Sequence, residues 1–93
     1  NMTSLTQFAF NSQQVRIVSV NGDPWFVAQD VLTAIKSTTT VTAAKTVIEK
    51  ELGEEFVNNT PLQTSGGIQD FTIFAEAAIT FLVSRSRTAM GKL

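Results

Sequence analysis

Residues 21–35 read NGDPWFVAQDVLTAI, and this stretch decides the fold. Asn21-Gly22 is the strongest short signal for a β-hairpin, because a type I′ turn needs positive φ at both central positions. The preceding residues 14–20 (QVRIVSV) are rich in β-branched side chains and predict the first strand of that hairpin. We expect residues 25–27 to form the returning strand, after a turn that the two residues following the Asn-Gly pair lengthen.

A helix is predicted directly after the hairpin. Its apolar residues recur at the i, i+3, i+4 and i+7 positions of one helical face, namely Ala28, Val31, Leu32 and Ile35. Asp30 lies in the first turn of this helix, where a carboxylate complements the helix dipole. A second helix is predicted over residues 42–52, and Gly53 is suited to end it.

The second half of the chain repeats the strand pattern and then adds a third helix. Residues 62–64 and 68–74 flank a Ser-Gly-Gly turn that contains Gly66 and Gly67, which indicates a second hairpin. Pro61 precedes it. Apolar residues then recur with helical spacing, so a third helix is predicted over residues 75–86.

The order of these elements predicts the fold class. Residues 5–10 indicate an additional first strand, so strands, helices, strands and a helix follow one another. This order favours an α+β fold: a small antiparallel sheet of two hairpins packed with about three helices. Crossovers between parallel strands would need more chain than the 93 residues offer. We expect residues 1–93 to form one domain.

The composition excludes several classes of function. The chain contains no His and no Cys, so the ordinary catalytic triads and Cys- or His-based metal sites are excluded. No phosphate-binding glycine motif is present. We therefore expect no enzymatic activity, no metal and no cofactor. No apolar run is long enough for a membrane helix, and no secretory signal is visible. We expect a cytoplasmic location and no membrane partner.

Charge is unevenly distributed although the net charge is only −1. After Glu76 no acidic residue occurs, whereas the predicted third helix ends in Arg85, Ser86 and Arg87, and Lys92 follows. Two interpretations of this segment stay open. The cations can complement the helix C-terminus, or the Arg and Ser side chains can contact nucleic-acid phosphates.

Trp25 and Phe26 also have two interpretations. Adjacent strand residues point to opposite faces, so one of these rings is expected in the core and the other under the following helix. Alternatively, an exposed ring would offer an aromatic platform for bases or for a partner protein. Core packing is favoured for both residues.

The stretch 21–35 closely resembles a motif of the BRO family N-terminal domain and of phage or prophage antirepressors, D-G-x-P-W-F-V-A-x-D-V-x-x-x-L. The residues that carry the resemblance are Gly22, Pro24, Trp25, Phe26, Asp30 and Val31. Weaker similarity extends over most of the chain, including Gly66 and Gly67 and the helix with Arg85. Family members continue into a further helix, so the resemblance implies that residues 1–93 stop before it.

The resemblance implies a DNA-binding domain that regulates transcription, for example by antagonising a repressor. A positive strip through Arg85, Arg87 and Lys36 or Lys45 would favour direct DNA contact. The near-neutral net charge leaves an alternative of another class: a protein-interaction module that binds a repressor or other regulatory protein, or forms a homodimer, without touching DNA.

Overall fold

The computed structural model describes the backbone of residues 5–10 and 13–91 and the side chains of residues 14–85. Five strands form one antiparallel sheet in the order β1-β2-β3-β5-β4. The strands are β1 (Leu5–Phe10), β2 (Gln13–Val20), β3 (Asp23–Val27), β4 (Val57–Thr64) and β5 (Gly67–Ala75). The helices are α1 (Ala28–Ala34), α2 (Val41–Glu51) and α3 (Glu76–Gly91), with a 3₁₀ turn at Glu54–Phe56. The predicted α+β class is confirmed.

The first hairpin turns where the sequence predicts. Asn21 and Gly22 have φ angles of 53° and 84°, as a type I′ turn requires. The expectation that the next two residues lengthen the turn is wrong, because β3 already begins at Asp23. Pro24 is tolerated in this strand since β3 pairs with β5 only from Trp25 onward, so its missing N–H removes no hydrogen bond to β5.

The second hairpin is longer than predicted. Its first strand, β4, begins at Val57 rather than at residue 62, and it includes Pro61. β4 lies at the edge of the sheet formed by the described strands, where one side of β4 has no partner among them and a Pro can be accommodated. Gly67, which is paired with Thr64, has a φ of 107° and opens β5.

The third helix also extends further than predicted. It was expected to end near residue 86, but it continues to Gly91, because no Gly or Pro interrupts the chain before that residue. Arg85 therefore lies within the helix rather than at its end. A helix dipole acts only within the last turn, so the interpretation of Arg85 as a dipole partner is wrong.

The core has contributions from both faces of the sheet. The helix-side cluster joins the three helices to β5 through the buried residues Ala28, Leu32, Ala44, Ile48, Phe74, Ala78 and Leu82. The sheet-side cluster contains Val18, Val27, Leu62 and Ile73. Trp25 packs against the sheet-side cluster, whereas Phe26 packs against Val15, Val31 and Ala34. Each ring is partly buried, on opposite faces of β3, so core packing accounts for both.

Candidate nucleic-acid interface

The end of α1 places a lysine in an unusual backbone conformation. Lys36 has a φ of 56°, in the left-handed region that favours glycine. Its N–H donates to the Thr33 carbonyl at 3.0 Å, and the N–H of Ser37 donates to the Leu32 carbonyl at 2.9 Å. These two hydrogen bonds form a Schellman motif, in which the left-handed position is usually a glycine. The chain thus carries a cation where glycine would fit best.

A run of hydroxyl residues follows and leads into α2. Ser37 Oγ accepts a hydrogen bond from the Thr39 N–H at 3.0 Å. Thr40 is the N-cap of α2, and its Oγ1 accepts from the Ala43 N–H at 3.1 Å. Side-chain caps of this kind start a helix and satisfy one of its free N–H groups. The segment between α1 and α2 is consequently held at both ends and exposes hydroxyl donors between them.

The loop after α1 and the middle of α3 enclose a cleft of about 320 Å³. Its polar lining comes from Lys36, Ser37, Thr38 and Thr39 on the loop and from Arg85 on α3. Ile35 and Leu82 contribute apolar surface and pack in or against the helix-side cluster. We call this feature the cationic cleft. It brings together two predicted cations from opposite halves of the chain.

Among the described side chains, neither cation of the cleft has an acidic partner. Within the described side chains, the ion pairs include neither Lys36 nor Arg85. The guanidinium of Arg85 lies over the ring of Phe81, 5.4 Å from its centroid, which restrains its position without neutralising it. Guanidinium, ammonium and hydroxyl donors around one space are the groups that bind phosphate oxygens.

A second arginine has the opposite environment. Arg16 donates from Nε to Asp30 Oδ2 at 2.8 Å and from Nη2 to Oδ1 at 3.0 Å. The Arg16 backbone N–H also donates to Oδ2 at 3.0 Å, and the guanidinium lies 4.8 Å from the centroid of the Phe71 ring. This cluster ties β2, α1 and β5 together. It gives the motif residue Asp30 a structural role that sequence reasoning left open.

The ion pair shifts the pKa values of both partners. Partial burial alone would raise the pKa of Asp30, but the side-chain and backbone hydrogen bonds from Arg16 and its charge outweigh burial and lower it. The hydrogen bond to Asp30 raises the pKa of Arg16 above its already high normal value. Both groups are therefore charged at neutral pH.

The structure locates the other predicted site residues as follows. Lys45 lies in α2 and does not line the cationic cleft. Ser86 and Arg87 continue α3, with side chains outside the described residues, and Lys92 lies outside them entirely. Gly22, Gly66, Gly67 and Pro24 occupy the hairpins, and Val31 is buried in α1. The hydroxyl residues 37–39 were not among the predicted site residues, although their place beside Lys36 was a usable signal.

Comparison with known protein families shows to which family the chain belongs. The family described as BRO family, N-terminal domain, matches residues 14–92. The chain belongs to the BRO family. The matched region contains β2 from residue 14 onward, β3 to β5, the three described helices and both sides of the cationic cleft. No curated protein and no solved structure matches the chain.

Two further structural findings apply to the described part of this BRO-family chain. None of its helices there is long and apolar enough to cross a membrane. Its acidic side chains there form no cluster of three or more that could hold a metal ion.

Proposed function

We propose that this BRO-family domain binds DNA by contacting backbone phosphates in the cationic cleft, and that it has no catalytic activity. The observation that carries the proposal is the convergence of Lys36, from the loop after α1, and Arg85, from α3, on one space lined by three hydroxyl residues. Such contacts fix a protein on a duplex without reading its sequence.

The backbone of Lys36 supports the proposal. A non-glycine residue in the left-handed region costs on the order of 1 kcal/mol, and such strain is concentrated at functional sites. Glycine at position 36 would satisfy the same Schellman hydrogen bonds without that cost. Compared with glycine, the lysine adds a positive charge at the mouth of the cleft.

The electrostatic environment of the cleft also supports it. The chain has a net charge of −1, so any attraction to DNA must be local. The described acidic side chains include none that lines the cleft. The first-turn N–H groups of α2, such as those of Val41 and Thr42, have no acceptor within the helix and lie directly after the hydroxyl run.

The test is a fluorescence anisotropy titration of a labelled 20-base-pair duplex from 50 to 200 mM salt. We expect wild-type binding to weaken with salt, because phosphate contacts release counterions. The double variant K36A/R85A is expected to bind at least tenfold more weakly at 50 mM salt. No wild-type binding at 50 mM salt, or equal binding by both proteins, would contradict the proposal.

The matched control is K50A, which removes an exposed lysine near the end of α2, a residue that does not line the cleft. Its affinity should stay within twofold of the wild type. An equal loss in K50A and in the double variant would indicate diffuse attraction rather than a site.

Regulation of transcription is the role that we propose for this binding, as BRO-family membership suggests. A domain that holds the DNA backbone without reading bases would need a further element or partner to choose its target.

A further inference from the structure

An apolar groove lies on the helix side of the sheet, away from the residues that line the cationic cleft. Its floor is formed by Val15 and Ile17 of β2, Phe26 of β3, Val31 of α1 and Ile79 of α3. The groove has a volume of about 390 Å³, within the range of ligand-binding sites. The residues that line it leave one side open among the described side chains, so a side chain can enter the groove from that side.

Among the described side chains, the polar groups at the groove are few and all belong to α3. Glu76 and Thr80 are exposed, lie one helical turn apart and complete the lining. Within the described side chains, no cation pairs with the carboxylate of Glu76. The groove therefore combines an apolar floor with one unneutralised negative charge at its rim.

We propose that the apolar groove binds a segment of a partner protein in which a large apolar side chain stands next to a Lys or Arg. The apolar side chain fills the groove over Phe26 and Ile79, and the cation pairs with Glu76. Apolar anchors flanked by a complementary charge are the usual form of a small protein-recognition site. DNA is excluded as the occupant, because its phosphates would be repelled by Glu76.

The proposal concerns a different surface from the cationic cleft, so either can fail without the other. A partner on the groove would lie against the first turn of α3, where Glu76, Ile79 and Thr80 line the groove. DNA in the cleft would lie further along the helix, beside Leu82 and Arg85. The domain could then hold both at once.

The probe is a pair of synthetic peptides, Ac-Gly-Ser-Phe-Lys-Ser-Gly-amide and its twin with Glu in place of Lys. Methyl NMR spectra of the wild-type protein report binding at Val15, Ile17, Val31 and Ile79. We expect the Lys peptide to shift these methyl signals at low millimolar concentration. The Glu twin is expected to bind at least fivefold more weakly.

Two variants test the assignment of the charge. E76Q should bring the two peptides within twofold of each other, whereas the control E49Q, on α2, should keep the fivefold preference. T80R should abolish binding of the Lys peptide, because an arginine at i+4 pairs with Glu76 and covers the groove. Both positions are exposed, so folding should be retained, which circular dichroism checks.

Three outcomes would overturn the proposal. The first is no shift of the groove methyl signals at 5 mM of either peptide, and the second is equal affinity of the wild type for both. The third is a shift of the groove methyl signals that occurs without peptide as the protein concentration rises and that is absent in I68D. Ile68 is the large apolar residue that the described surface exposes most, at 72%. That third result would assign the groove to a second copy of this chain. Duplex binding by T80R, measured in parallel, should equal that of the wild type.

Discussion

Arg16 and Arg85 each lie over a phenylalanine ring, at 4.8 Å and 5.4 Å from the ring centroids, yet their surroundings differ. Arg16 donates two side-chain hydrogen bonds to Asp30, and both side chains of this pair are less than a third exposed. Arg85 is exposed at the cationic cleft and has no carboxylate partner among the described side chains. An arginine with a carboxylate partner thus stabilises the fold, whereas an arginine without one stays available to a ligand.

Removing the carboxylate of Asp30 should have the largest effect, because it deprives Arg16 of the partner that Arg85 lacks among the described side chains. D30A leaves the Arg16 side chain and its backbone N–H without their acceptor, in a partly buried position. Hydrogen bonds to charged groups contribute about 1.5–3 kcal/mol, so we expect a loss of about 2 kcal/mol after allowing for partial exposure. Urea unfolding measures this free energy.

The control for D30A is D70A, which removes an exposed carboxylate of β5 that accepts no hydrogen bond from the described side chains and forms no ion pair with them. We expect its free energy of unfolding to change by less than about 0.5 kcal/mol. If D30A and D70A were equally stable, the ion pair would contribute nothing and the contrast with Arg85 would disappear.

The sequence allowed the local part of the fold to be predicted. The Asn21-Gly22 turn and the stripe of α1 depend on neighbouring residues only, and both were found at their predicted places. The start of β4 depends on its position at the edge of the sheet, which no local pattern shows. Pro61 was therefore placed before the predicted strand, whereas it lies within β4.

The two arginine sites were predictable to different degrees. The Asn-Gly turn fixes a register in which Ile17 pairs with Phe26. Arg16, which precedes Ile17, therefore lies beside the first turn of α1, where Asp30 is located. That pair could have been derived, but it was not. The meeting of Lys36 with Arg85 was only a hypothesis, because it depends on how α3 packs against α1.

Lowering the pH should weaken the ion pair of Arg16 with Asp30. It should leave the contacts of Arg85 unchanged, because no described carboxylate pairs with that residue. The pKa of Asp30 is lowered in the folded state, so its stabilisation is present above the unfolded value of about 4 and is lost as the pH falls through the folded value. We expect the difference in unfolding free energy between the wild type and D30N to be smaller at pH 2.5 than at pH 6.

The pairing of wild type with D30N cancels the titration of the other carboxylates, which both proteins share. Urea unfolding at each pH gives the two free energies. A difference that stays constant across this range would show that Asp30 acts through its shape and hydrogen bonds and not through its charge.

Single substitutions in the cleft should each remove about one phosphate contact. For K36A and for R85A we expect the slope of log affinity against log salt to become less steep by about 0.9, with a fivefold loss of affinity at 50 mM salt. Anisotropy titrations at four salt concentrations give the slope. An unchanged slope in both variants would remove the cleft from the DNA contact, whereas K50A should leave the slope as it is in the wild type.

The smallest expected effect separates the charge of Lys36 from its backbone. K36G retains the Schellman hydrogen bonds of α1 and removes both the left-handed strain and the cation. We expect K36G to be as stable as the wild type or up to about 1 kcal/mol more stable, although glycine makes the unfolded chain more flexible. Its duplex affinity should nevertheless fall as far as that of K36A, whose backbone keeps the strain.

A variant that gains stability while it loses affinity would show that the lysine is retained at a cost to the fold. If K36G instead bound DNA like the wild type, the strained conformation would have no connection with the cationic cleft.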